Sequence, residues 1–369
     1  MPNQVLITGA TGYLGKSIAR KYLQSSEDQI VLLLRAKNQT EFQNKTSALS
    51  QQLNATDGRV LFYPLDLNQS MPFEQIATRN IRTIIHTAAI TRFDVSQEDA
   101  QQVNVDGTVR LLEFAETCPN LEKVGLLSTI YSSGLKSGLM TEEFLDDNLG
   151  FANYYEWSKW ELERYTLQSF AHLPCLIFRS ATVIADCNDG SVTQYNVFHN
   201  TVRLLYQGLL TLLPGNTEVP IYLVTGEFVT NAIFSILQAA VSPQQQIFNV
   251  CHSKGQSIGL GEIIDTAFGV FSQDEQFVKR RVGKPRYINL DTFDIMMKQI
   301  GSFGSQSTRL ATATIQPFAR QLFLTKDISN TQLVTHFKEY QAPDTHEIIA
   351  QTCRYLVMTN WGRSIVAVT

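Results

Sequence analysis

Tyr155-Glu156-Trp157-Ser158-Lys159 places a phenol and an ammonium four residues apart. On a helix such a pair shares one face, roughly 6 Å apart along the axis. A free tyrosine has a pKa of about 10 and shuttles protons poorly near neutrality. A neighbouring cation stabilises the phenolate and lowers that pKa, so Tyr155 reads as a general acid/base tuned by Lys159. Both side chains are also expected to border a cofactor, Lys159 by holding a nicotinamide ribose. A second cluster, Leu127-Ser128-Thr129-Ile130-Tyr131, ends an apolar run in hydroxyls. At the carboxyl edge of a sheet these would lie beside a bound dinucleotide. Thr129 is the expected hydrogen-bond partner of the substrate oxygen, and Ser128 is the next candidate and a cofactor neighbour.

These groups need a frame to position them. Val5 to Ile7, Ile30 to Leu34, Val60 to Phe62, Ile81 to Ile85, Val124 to Leu127 and Leu176 to Phe178 are short, nearly continuous apolar runs. That is the pattern of parallel strands covered on both faces. Helical periodicity separates several of them, as in Leu14, Ile18, Leu23 and in Val103, Leu111, Leu112, Phe114. The alternation predicts an α/β fold, a Rossmann-type doubly wound parallel sheet. After Ser180 the rhythm breaks at Asn188-Asp189-Gly190-Ser191 and at Pro214-Gly215-Asn216, both read as loops. Residues 221–224 and 247–250 are expected to return to the sheet. The domain reading is a cofactor domain over 1–185 with return segments in 220–255. A smaller substrate lobe takes 186–219 and 256–369, with helices near 263–268 and 346–356.

The cofactor signal sits at the first strand-to-helix turn, Thr8-Gly9-Ala10-Thr11-Gly12-Tyr13-Leu14-Gly15. Small residues there allow a tight turn and let the backbone approach a pyrophosphate at the helix N-terminus. The second strand ends in Arg35, where NAD enzymes carry an acid for the ribose hydroxyls. An arginine there instead accommodates a 2′-phosphate, which predicts NADP(H) with Lys37 or Lys16 assisting. Asp66-Leu67, after the third strand, is placed to contact adenine.

Composition bounds the rest. The chain has 369 residues, is 44% hydrophobic and 17% charged, and carries a net charge of −4. This suits a globular core and offers no overall attraction for nucleic acid. Cys118, Cys175, Cys187, Cys251 and Cys353 are scattered, without metal-site or disulfide spacing. No metal is expected. No apolar run approaches the ~20 residues of a membrane span, and no signal peptide is visible, so a cytoplasmic setting is expected.

In order along the chain come the TGxxGxxG opening, Asp66-Leu67, His86-Thr87-Ala88-Ala89, Asn104-Val105-Asp106-Gly107-Thr108, the Ser-Thr strand end and YxxxK. As a set, spanning about residues 4 to 185, they resemble the extended short-chain dehydrogenases/reductases. The resemblance implies a Thr129/Tyr155/Lys159 site. It implies that Thr87, Ala88 and Ala89 border the cofactor, that His86 is structural, and that Asn104 supports the active-site helix next to the cofactor. Leu32 to Lys37, Ala88 to Asp94 and Leu127 to Tyr131 are similar to the "LVRA", "AA…RFD" and "STAY" segments of one branch. That branch is the fatty acyl-CoA reductase and thioester reductase group, the "male sterility" type. Lys326-Asp327-Ile328-Ser329-Asn330-Thr331 faintly resembles a segment of the same group. The implied activity is NADPH-dependent reduction of a small-molecule or carrier-bound acyl thioester to an aldehyde, with an alcohol as a further product left open. With no carrier or adenylation domain, the chain is expected to act as a stand-alone reductase. Arg179-Ser180-Ala181 departs from the superfamily's Arg-Pro-Ser/Gly, a change expected to soften the following loop. An epimerase, dehydratase or ketone reductase of the same superfamily, or an NADP-binding protein without turnover, would share many of these features.

Overall fold

A computed structural model describes residues 2–55, 58–146, 148–242, 246–303 and 306–363. Seven parallel strands form the central sheet: β1 (Gln4–Thr8), β2 (Gln29–Leu34), β3 (Val60–Pro64), β4 (Ile81–His86), β5 (Lys123–Thr129), β6 (Cys175–Ser180) and β7 (Ile247–Val250). Their spatial order is β3-β2-β1-β4-β5-β6-β7, the doubly wound arrangement. The order reverses between β1 and β4, and there the carboxyl ends open a crevice. Thr8 is in register with Leu33 on one side and His86 on the other.

Alternation along the strands supplies both faces. Val5 and Ile7 pack with Ile18 and Tyr22 of α1 (Tyr13–Ser25) in one core, and Leu6, Val31 and Leu33 point into the other. The second core is closed by Leu111 and Leu112 of α2. This helix comprises Gln97–Asp99, a π-helical stretch Ala100–Asp106, and Gly107–Glu116. The catalytic-type motif lies on α3 (Tyr154–Ser169), capped by Asn153, whose side chain accepts from the Glu156 amide at 2.9 Å.

Residues 247–250 join the sheet as its edge strand, but residues 221–224 do not return to it. Leu223–Thr225 pairs in parallel with Thr182–Ala185, and Pro220–Ile221 pairs with Ile258–Gly259. Both short pairings belong to structure outside the main sheet, where apolar runs of two or three residues suffice. The segment after Ser180 is thereby held as a strand, although the expected proline is missing. A third core contains Val202 and Leu205 of α4 (Val197–Tyr206), Ile263 and Ile264 of α5 (Leu260–Phe271), and Ile349 and Leu356 of α6 (Thr345–Met358). Cys118, Cys175, Cys251 and Cys353 are buried thiols. No helix among the described residues is long and apolar enough to cross a membrane.

Candidate active site

The turn from β1 into α1 is shaped by what surrounds Gly9. Its φ is +72°, and an added Cβ would lie 2.6 Å from both the Ala88 amide nitrogen and the Thr87 hydroxyl. A Cβ on Gly15 would meet the Gly9 carbonyl oxygen at 2.5 Å. The glycines therefore let two backbone segments touch, as the pyrophosphate-binding turn requires. Gly12 caps α1 without a side chain, and the first turn carries no acid, so the positive helix end is left for an anion. Gly9→Ala is expected to raise the dinucleotide Kd at least roughly tenfold through that strain. Titration of cofactor fluorescence measures it, and an unchanged Kd would remove the cradle argument.

Beside the turn lies a cleft of about 360 Å³, within the roughly 300–1,000 Å³ of small-molecule sites. Gly9, Thr11, Gly12, Tyr13, Leu14 and Gly15 line it, as do Arg35, Asp66, Leu67, Thr87, Ala88 and Ala89. These residues fit a dinucleotide: small glycine-rich backbone, an open helix end and an exposed guanidinium. The sequence reading missed the far wall, where Val183 to Asp186, Val192, Gln194 and Asn196 complete the lining. Gln194 accepts a hydrogen bond from the Tyr13 amide at 3.0 Å, and the Tyr13 hydroxyl donates to the Asp186 carbonyl at 2.9 Å.

Six expected cofactor residues do not line this cleft: Thr8, Lys37, Asn104, Ser128, Tyr155 and Lys159. Thr8 is fully buried and donates to His86 Nδ1 at 2.7 Å while accepting from the Ala88 amide at 3.3 Å. Thr108 donates to the Asn104 carbonyl, so His86 Nε2 must donate to Thr108 Oγ1, at 3.2 Å. Both ring nitrogens are engaged, and burial, with a smaller push from Lys159, holds His86 down to about 3. It is a neutral brace. Asn104, in the π-helical stretch, clamps Ile90 through its amide and carbonyl and donates to Ser158 at 2.9 Å. It ties α2 to α3 and does not reach into the cleft. The Lys37 side chain is outside the lining, and its amide donates to Glu41. Ser128 is turned away: it donates to Glu163 at 2.5 Å, behind the sheet edge. Neighbouring strand residues face opposite ways, so only one of Ser128 and Thr129 can face the cleft side.

Thr129 takes that position. Burial pushes the Tyr155 phenol up, and the neighbouring Thr129 hydroxyl works against that push. Lys159 donates to the Leu127 carbonyl at 2.8 Å, and burial brings it down to about 8 against the opposing pull of Glu163. The expected lowering of the Tyr155 pKa by Lys159 is not found: burial raises the phenol above its ordinary value, the Thr129 hydroxyl opposes that rise, and the Lys159 ammonium is not among the groups acting on it. Neighbours of Lys159 and Tyr155 line two different spaces. Leu127, the lysine's partner, lines the dinucleotide cleft. Phe93, whose ring centroid is 5.5 Å from that of Tyr155, lines a second, largely apolar chamber of about 110 Å³. Phe198, Val202, Leu205, Ile263, Phe318 and Leu322 form much of its wall, with Glu156, Thr182, Thr201, Gln321 and Lys326 among the polar exceptions. Among the described residues there is no cluster able to hold a metal ion.

Comparison with known proteins agrees with this frame. The family model described as "Male sterility protein" matches residues 7–233, more than half of the chain. "Fatty acyl-CoA reductase wat" of Drosophila melanogaster is 25% identical over 275 residues, covering 63% of this chain and 53% of that protein. Human "Fatty acyl-CoA reductase 2" is 35% identical over 148 residues, covering 35% of this chain and 28% of that protein. The chain thus spans about half or less of the length of these relatives. Among solved structures, the terminal R domain of the myxalamid PKS-NRPS pathway superposes with a TM-score of 0.77 at 18% identity, covering 98% of this chain and 92% of that one. UDP-glucuronic acid 4-epimerase from Bacillus cereus, in complex with NAD, gives 0.64 at 16% identity, covering 96% and 99%. These structural likenesses establish the fold; with a family model over more than half its length, the chain belongs to the male sterility protein family.

Proposed function

We propose that this chain reduces an acyl thioester, acyl-CoA or carrier-bound, with NADPH. One observation carries the reading: the Tyr155 ring packs on Phe93 of an apolar chamber, while Lys159, one turn on, bonds Leu127 of the dinucleotide cleft. The fatty acyl-CoA reductase relatives support the substrate class, and an apolar chamber suits an acyl chain better than a nucleotide sugar. When bound, the nicotinamide supplies the hydride. The thioester carbonyl oxygen is received by the Tyr155 and Thr129 hydroxyls. As negative charge builds on that oxygen, Tyr155 gives up its proton and Thr129 stabilises the charge. The hemithioacetal so formed breaks its C–S bond, releasing thiol and leaving an aldehyde. Lys159 spends one of its three donors on Leu127 and keeps others for the nicotinamide ribose. An NADPH-oxidation screen over acyl-CoAs, carrier-bound acyl thioesters, aldehydes and nucleotide sugars tests the reading. Consumption with sugars alone would end it.

Arg35 is exposed at the cleft and is the proposed partner of the 2′-phosphate. Arg35→Ala is expected to weaken NADPH by about 10- to 100-fold, the worth of charge-assisted hydrogen bonds, and NADH hardly at all. Equal losses for the two nucleotides would assign Arg35 no role in the choice. Lys159 gives a pH prediction. Burial depresses its pKa to about 8, so the cation dominates below that value and is lost above it. Turnover is expected to fall as pH rises through about 8, and a kcat/KM profile level to pH values near an ordinary lysine's would exclude the charged form as the working one.

A further inference from the structure

Two residues that line the apolar chamber each carry a buried polar atom without a partner. Gln321 is 7% exposed. Its Nε2 donates to the Gly134 carbonyl at 3.2 Å and to Glu156 Oε2 at 2.9 Å. Both partners are acceptors, so the amide can stand only this way round, and Oε1 is left buried with no donor. Thr201 of α4 lines the same chamber, and its hydroxyl is likewise buried and unpartnered. Glu156 and Lys326 add polar groups to the wall beside Gln321. Lys326 donates to Ser133 Oγ at 2.8 Å and to the Gly134 carbonyl at 2.6 Å, and it faces the Tyr131 ring at 5.9 Å. Burial pushes Glu156 up and Lys326 down, each held back by the other's charge.

A chamber meant only for an alkyl chain gains nothing from such a wall. Buried acceptors in native proteins find donors, and a site that offers a hydrogen bond discriminates against ligands that cannot return it. We propose that the occupant is an acyl group carrying a hydrogen-bond donor along its chain, a hydroxyl or an amide N–H, received by Gln321 Oε1 with Thr201 as a second contact. This rests on the thioester-reductase reading and narrows its substrate class from plain to functionalised acyl groups. Gln321 would be a specificity-determining residue with no part in the chemistry.

The test compares kcat/KM for hexanoyl- and octanoyl-CoA with their mid-chain and terminal hydroxy analogues and with N-acylglycyl-CoA thioesters of matched length. At least one donor-bearing member is expected to exceed its plain counterpart by roughly tenfold or more, and the series shows whether hydroxyl or amide is preferred. In Gln321→Leu that ratio is expected to collapse toward one, and in Thr201→Val, which is nearly isosteric and leaves the Glu156 contact alone, to shrink. Equal rates for plain and donor-bearing chains in the wild-type enzyme would overturn this inference alone, and would mean that ordered water satisfies the amide. A ratio untouched by both variants would overturn it too. No turnover of any thioester overturns the proposed function and this inference with it.

Discussion

Tyr155→Phe is expected to lower kcat by about 10²- to 10⁴-fold, the usual worth of a positioned general acid, with the Kd for NADPH changed by no more than about twofold. The separation follows from where the ring sits. Tyr155 is half-buried, and its ring packs on Phe93; phenylalanine keeps that contact. The lost hydroxyl lies beside Thr129, and Tyr155 is not among the residues lining the dinucleotide cleft, so cofactor binding should survive. Single-turnover measurement with NADPH and an acyl-CoA, beside a fluorescence titration of the nucleotide, reads both quantities. Turnover kept within about tenfold of wild type would place the proton donor elsewhere. Loss of nucleotide binding would mean that the variant reports on the fold and not on the chemistry.

The same geometry shows why part of this site could be read from the chain and part could not. The glycine turn, the apolar strands and the Tyr155/Lys159 spacing are local features, fixed by backbone sterics, burial on two faces and helical period, and the structure places each on its expected element. Ser128 and Thr129 are adjacent in sequence, and their chemistry is nearly the same. Only the pleat of β5 sends one toward Glu163 and the other toward Tyr155. The far wall of the cleft was illegible for another reason: Tyr13 meets Gln194 across 181 residues, and a loop rich in Asn, Asp and Gly carries no periodicity to register such a contact. Glu156 stood inside the YxxxK motif, and Lys326 in a segment that resembled the family only faintly. Neither offered a sign of the other, because a buried charge pair is a tertiary event. The return of residues 221–224 to the main sheet failed because short apolar runs pair with whichever edge the topology brings near.

Glu163→Ala is expected to cost about 3–5 kcal/mol of unfolding free energy, the typical result of stranding one member of a buried ion pair. Arg179 is 2% exposed and Glu163 fully buried. The guanidinium donates to both carboxylate oxygens at 2.6–3.1 Å and to the carbonyls of Thr141 and Glu143. Without the carboxylate, only those two carbonyls and the more distant charge of Glu142 offset a desolvated positive charge. A loss of this size is a large part of the 5–15 kcal/mol that holds an ordinary domain together. Urea unfolding measures it, and a change under about 1 kcal/mol would show that the pair is solvated or dispensable. Glu163→Leu combined with Arg179→Met should recover much of the loss, since it is the unpaired charge that destabilises. The carboxylate also reaches the chemistry. It accepts from Ser128, next to Thr129 on β5, and its charge is what raises Lys159 against burial. In any folded Glu163→Ala protein the Lys159 pKa must fall further below its ordinary value, so the alkaline loss of turnover should begin at lower pH than in the wild type. A stability defect with the pH limb unmoved would confine Glu163 to holding β5 and β6 against α3; movement of both makes one buried carboxylate the link between the strand-end hydroxyls and the lysine's charge.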